Sequence, residues 1–246
     1  MDGVSVGAEQ FVKRLEALAG PVELEKVKHY LKAGEGEYAD DHVFLGVRMG
    51  DIFALAKEFI DMPPNEIDKL LDSPIHDLRV GALSIMGKQF ARKTTTESRR
   101  KELYELYLRR TERINSWDLV DLSGHHVVGG YLNDKPRDVL YTLARSKDWW
   151  ERRLAMFATL SFVRKGDLDD TFELAEILIH DDHELVQKVV GGMLREAGKT
   201  DRKRLLTFLD MHAATAPRVT LRYAIEHLEP TQRQHYLGLR KQADAP

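Results

Sequence analysis

Trp117 and Asp121 stand four residues apart in the stretch Asn115-Ser116-Trp117-Asp118-Leu119-Val120-Asp121-Leu122-Ser123-Gly124. Read as one helix over about 115–132, this spacing puts an indole and a carboxylate on the same face, one above the other. Those residue types permit definite chemistry. A carboxylate can stabilise positive charge or orient a water, and an indole face attracts cations. Asn115 or Ser116 is suited to cap the helix, and Asp118 falls in the first turn, where negative charge complements the helix dipole. Asp121 lies past that turn among Leu, Val, Gly and Tyr, where an unpaired buried carboxylate is costly. The Trp117–Asp121 pair therefore reads as the floor of a site.

Other polar clusters have plainer readings. His125 and His126 are adjacent, so they point to different faces of a helix and make a poor chelate. His180-Asp181-Asp182-His183 reads as an inter-helix loop with a cap. Asp167-Leu168-Asp169-Asp170 lacks the carboxylate spacing of a calcium loop and is expected to cap the next helix. No metal and no cofactor is expected, since no Gly-rich phosphate loop or nucleotide fingerprint appears. The 246 residues include no cysteine, which removes disulfides, thiolate metal ligands and cysteine nucleophiles.

The elements that must carry the pair are helical almost throughout. Expected helices run about 9–19, 22–33, 51–60, 64–72, 76–92, 97–112, 115–132, 136–146, 149–164, 168–180, 182–198, 201–211, 217–228 and 230–240. The breaks between them are Gly20-Pro21, Gly34–Gly36, Pro63-Pro64, Ser73-Pro74, Lys135-Pro136 and Ala216-Pro217. A basic residue opening a small and apolar run recurs at Arg79, Arg153, Lys188 and Arg222. The later copies are about 35 residues apart, the length of a two-helix repeat. The fold expected is all-α, a curved α-solenoid forming one helical-repeat domain over 1–246. Gly81, Ala82, Ala155, Gly191 and Gly192 would let stacked helices approach closely. The four basic residues either form a ladder suited to a polyanion or bridge neighbouring repeats.

Charge divides the chain. The formal net charge is -3, yet residues 1–90 hold 10 Lys and Arg against 16 Asp and Glu, while the remainder holds 27 against 24. Acidic repeats about 1–90 are thus followed by site-bearing repeats about 91–246. A local basic surface can bind phosphate on a protein of acidic pI, because salt screens distant charges. No apolar run reaches the ~20 residues of a membrane span, and Met1-Asp2-Gly3-Val4 lacks the features of a signal peptide. A cytoplasmic monomer with no membrane partner is the expectation.

Several stretches together resemble the DNA alkylation repair family of AlkD type, which are HEAT-like-repeat DNA glycosylases. They are Phe44-Leu45-Gly46-Val47-Arg48, Leu70-Leu71-Asp72-Ser73-Pro74-Ile75-His76, Trp117-Asp118-Leu119-Val120-Asp121, Trp150-Glu151-Arg152-Arg153, Leu194-Arg195-Glu196 and Leu221-Arg222-Tyr223-Ala224-Ile225. The resemblance covers most of the chain and rests on their order and spacing. It implies HEAT-like two-helix repeats with a concave DNA-binding groove, and excision of N3- or N7-alkylated purines from double-stranded DNA without extruding the base. It assigns the catalytic carboxylate to Asp121, its aromatic partner to Trp117 and the groove arginine to Arg153 or Arg152. Lys188 and Arg195 join Trp117, Arg152 and Arg153 as DNA-binding residues.

The family's Gly-Trp-x-Leu-Arg-Glu motif reads here Gly191-Gly192-Met193-Leu194-Arg195-Glu196, so glycine stands where a second tryptophan is expected. That departure implies lower activity, a shifted lesion preference or a non-catalytic DNA binder. Trp149, beside Trp150, is a candidate replacement from the neighbouring repeat. The alternative function is a non-catalytic repeat scaffold for branched or damaged DNA or for a protein partner. No lysine accompanies the Trp117–Asp121 motif as a Schiff-base nucleophile.

Overall fold

The computed structural model describes residues 7–31 and 42–243; the reading of Met1–Val4 and the Gly34–Gly36 break lie outside the described residues. The fold is all-α, with helices packed in a repeat-like succession, as in an α-solenoid. Among the described residues the one β feature is an isolated bridge between Val43 and Ile75. No described helix is long and apolar enough to cross a membrane. The chain divides into two compact units, residues 1–131 and 132–246.

The first unit contains α1 (Ala8–Glu16), α2 (Pro21–Leu31), α3 (Met49–Glu58), α4 (Pro64–Leu71), α5 (His76–Ala91), α6 (Glu97–Arg109) and α7 (Trp117–Gly124). Helix α5 is its axis: α3, α4, α6 and α7 all pack against it. Every residue from His76 to Gly87 is buried, so α5 lacks the solvent stripe of an ordinary surface helix. Gly81 permits one close approach, since a Cβ there would lie 2.5 Å from the Phe11 ring of α1. The helix expected over 115–132 is shorter. It begins at Trp117, and after Gly124 the backbone widens into a π-helical turn over His125–Gly129.

The second unit contains α8 (Asp138–Leu143), α9 (Trp149–Ala158), α10 (Leu160–Val163), α11 (Asp169–Leu178), α12 (Glu184–Thr200), α13 (Arg202–His212), α14 (Arg218–Ala224) and α15 (Pro230–Ala243). Here α12 is the axis, packed by α9, α10, α11, α13 and α14. His183 caps α12 by accepting from the Leu185 N–H at 3.3 Å, as its loop position led one to expect. Asp167, Asp169 and Asp170 do not cap α11 as expected. Arginines reach them first: Arg137 bonds Asp167 and Asp170, and Arg204 bonds Asp169.

The adjacent glycines of α12 differ. A Cβ at Gly191 would sit 2.4 Å from the Thr220 carbonyl oxygen and 2.6 Å from Tyr223 Cβ, so this glycine sets the α12–α14 approach. A Cβ at Gly192 would meet nothing within 4 Å, which corrects the expectation that it too mediates helix contact. The two sites should respond oppositely to alanine. Gly191→Ala is expected to cost about 1–3 kcal/mol, because backbone must move. Gly192→Ala should stabilise by about 1 kcal/mol through helix propensity alone. Urea unfolding midpoints of the two variants check both signs.

Candidate functional site

The site begins with what holds α7. Three polar residues in the first turn of α5 are buried, and each reaches a different segment. His76 Nε2 lies 2.7 Å from Asp118 Oδ2. Asp77 accepts the backbone N–H groups of Leu45 and Val47 at 2.9 and 3.0 Å. Arg79 donates to the Arg113 carbonyl at 3.1 Å and to Asn115 Oδ1 at 2.8 Å. Thus α5 grips the chain entering α7 from one side and the segment around Leu45 from the other.

These bonds overturn one local expectation and extend another. Neither Asn115 nor Ser116 caps α7 with its side chain: Asn115 is taken by Arg79, and the Ser116 hydroxyl donates to Asp118 Oδ1. Asp118 lies in the first turn as expected, and it is also enclosed, only 7% exposed. Burial by itself would raise the Asp118 pKa. Attraction to His76 and its hydrogen bond, with those of Ser116 and the Leu119 N–H, outweigh burial and hold the carboxyl below its usual range. A second imidazole continues the chain, His42 Nδ1 lying 3.1 Å from His76 Nδ1.

Asp121, one turn on, is half-buried. Tyr107 of α6 is fully enclosed, its hydroxyl without a hydrogen-bond partner among the described residues. Burial, and after it the negative charge of Asp121, push the Tyr107 phenol far up, so it stays neutral. Trp117 is also half-buried. It packs with Leu24 and Val27 against Leu31 and Phe44, and its ring meets that of Tyr30 edge-on at 5.5 Å. The structure therefore presents an indole and a carboxylate one helical turn apart, each half-open, on a helix start fixed by buried polar contacts.

The remaining sequence-derived residues lie in the second unit. Arg152 bonds both Asp181 oxygens, at 2.5 and 3.1 Å, and the carbonyls of Ser146 and Lys147. Arg153 is 7% exposed and donates to the Leu185 carbonyl at 2.6 Å. Lys188 pairs with Glu184 at 2.5 Å, and Arg195 pairs with Glu226 and Glu196. Trp149 stacks on His183, 4.4 Å between centroids and 3° from parallel. Burial lowers the His183 pKa, Asp181 opposing it and Arg152 reinforcing it. The residues that sequence reasoning missed are His76 and Tyr107. Spacing along α7 carries no sign of them, because they act from α5 and α6.

By fold and site, this is a helical-repeat protein that presents a carboxylate beside an aromatic ring. The family model of the DNA alkylation repair enzyme matches residues 11–228, and the chain belongs to that family. A role in DNA repair, and with it the binding of DNA, goes with that membership. Among solved structures, a predicted DNA alkylation repair enzyme from Enterococcus faecalis is similar in fold. Its TM-score is 0.66 at 16% identity, over 86% of this chain and 97% of that one. No curated protein matches the chain.

The buried pair gives a pH prediction. Because the folded Asp118 pKa lies below the unfolded value of about 3.9, the unfolded state binds more protons between the two values. Stability from this group is complete above the unfolded pKa and is lost as pH falls through the folded one. Asp118→Asn should therefore flatten the acid limb of the stability curve below about pH 4. Removing the partner outright, as in Asp118→Ala, should cost about 3–5 kcal/mol at neutral pH. Urea midpoints against pH for wild type and both variants measure this; an acid limb unchanged in Asp118→Asn would refute it.

Proposed function

We propose that the protein is a monofunctional DNA glycosylase that releases N3- and N7-alkylated purines from duplex DNA. The observation that carries this is the half-open Trp117–Asp121 pair on the anchored start of α7. An alkylpurine of this kind is already cationic, so it leaves as a neutral base and no acid need protonate it. The C1′–N bond breaks with its electron pair going to the base, and positive charge develops on the deoxyribose. Water then adds to C1′ and loses a proton, leaving an abasic sugar. Asp121 stabilises the sugar cation and orients that water, and the face of Trp117 adds a cation–π attraction of ~1–2 kcal/mol where desolvated.

Tyr107, enclosed and kept neutral by burial and by the charge of Asp121, adds no second negative charge to the site. Undamaged purines would leave as anions and are spared by their own chemistry. The phosphate contact expected of Arg153 needs that side chain to leave its enclosed place on Leu185. Exposed cations can meet phosphates with no such rearrangement.

Single-turnover release of 7-methylguanine from a duplex oligonucleotide tests the proposal, with wild type beside Asp121→Asn. The swap keeps shape and removes charge, and the rate should fall by about 10²–10³. No release of 7-methylguanine or 3-methyladenine by wild type, with DNA binding intact, would sink the proposal in favour of a non-catalytic DNA-binding repeat.

A further inference from the structure

Lys188, Gly192 and Arg195 follow one another along α12 at steps of four and three, so they share a face. Gly192 stands between the two cations, and a Cβ there would meet nothing within 4 Å beyond its own helix. Beside them opens a cleft of about 460 Å³ lined by Lys188, Arg195, Val219, Arg222, Tyr223 and Arg233, with Glu226 as its single carboxylate. Lys188 and Arg195 already hold carboxylates. Arg222 and Arg233 are exposed, and among the described residues neither has an ion pair. Tyr223 is 38% exposed. Its Cβ is seated against Gly191, so the ring's base is fixed while the residue stays open to solvent.

We infer that this cleft binds one unpaired nucleotide of a DNA strand, with its phosphate on Arg222 and Arg233 and its base against the Tyr223 ring. The cations alone would suit any anion; the ring selects. A phosphate without a base leaves Tyr223 unused, as does a peptide that offers only carboxylates. A nucleotide brings both, and stacking on an aromatic ring accepts any base because every base has a π face. A second cleft, of about 320 Å³, shares Arg195 and continues the basic lining through Lys199, Arg202 and His227, giving the strand a path onward. The inference rests on DNA as the partner and not on the glycosylase chemistry.

The test is fluorescence anisotropy with a blunt duplex and with the same duplex carrying an unpaired flap. Wild type should prefer the flap. Tyr223→Leu keeps a seat against Gly191 but removes the π face, and should weaken flap binding by roughly 5- to 150-fold. Tyr223→Phe should keep the preference. Arg222→Ala with Arg233→Ala, both at exposed positions, should reduce the slope of log affinity against log salt by about 1.4, the value for two single-strand phosphate contacts. Absence of flap preference in wild type, its survival in Tyr223→Leu, or an unchanged salt slope would each overturn the inference. Release of 7-methylguanine is read separately through Asp121→Asn, so either proposal can fail while the other stands.

Discussion

The buried polar turn at the start of α5 is the contact on which the rest of the first unit depends. His76, Asp77 and Arg79 are all enclosed, and buried polar groups are tolerable only when bonded. Each finds its partner in a segment distant in sequence: Asp118 for His76, the Leu45 and Val47 amides for Asp77, Arg113 and Asn115 for Arg79. Displacing any of the three segments strands a polar group without water, so the segments are fixed together. Trp117 and Asp121 inherit their placement from this lock. The cover over Trp117 inherits it too. Gly46, held at φ +80° beside the Asp77-bound amides, accepts from the Gly20 N–H at 3.0 Å just before α2. Helix α2 then carries Tyr30 to the edge of the indole.

The recurring basic residue proves to have two uses. Arg79 and Arg153 both turn inward and donate to a backbone carbonyl of the next repeat, 34 and 32 residues on. An arginine suits this task because its planar fork meets several acceptors at once. At Lys188 and Arg222 the environment differs. Lys188 pairs with Glu184, one turn back on its own helix, and Arg222 stands exposed near the end of α14. The bridging reading of the repeat thus fits two copies, and the surface-cation reading fits the later two.

Much of the fold was legible in the sequence because helix boundaries are written locally. Pro63-Pro64 precedes α4, Ser73-Pro74 precedes α5, and Ala216-Pro217 precedes α14. The face shared by Trp117 and Asp121 was legible for the same reason. What packs against that face was not. The helical period cannot say that His76, 42 residues earlier, arrives at Asp118 and encloses it. Asp167, Asp169 and Asp170 were misjudged for the same reason: a carboxylate near a helix start caps by default, but Arg137 and Arg204, from other segments, offer charge-assisted bonds that are stronger. The π-helical turn after Gly124 follows a Gly-rich run, yet no propensity rule separates it from ordinary helix.

Gly191 and Gly192 show how identical residues acquire different meanings from what faces them. Both lower helix stability, by about 1 kcal/mol each relative to alanine. At Gly191 the loss is offset by the close packing of α14, which no larger residue would allow. At Gly192 no packing offsets it, since a Cβ there would meet nothing within 4 Å beyond its own helix. The two units therefore prepare different things by different means. The first fixes a carboxylate and an indole through buried polar bonds, which suits chemistry that depends on placement. The second leaves cations and a ring exposed around an opening, which suits a flexible polyanion that must enter and leave.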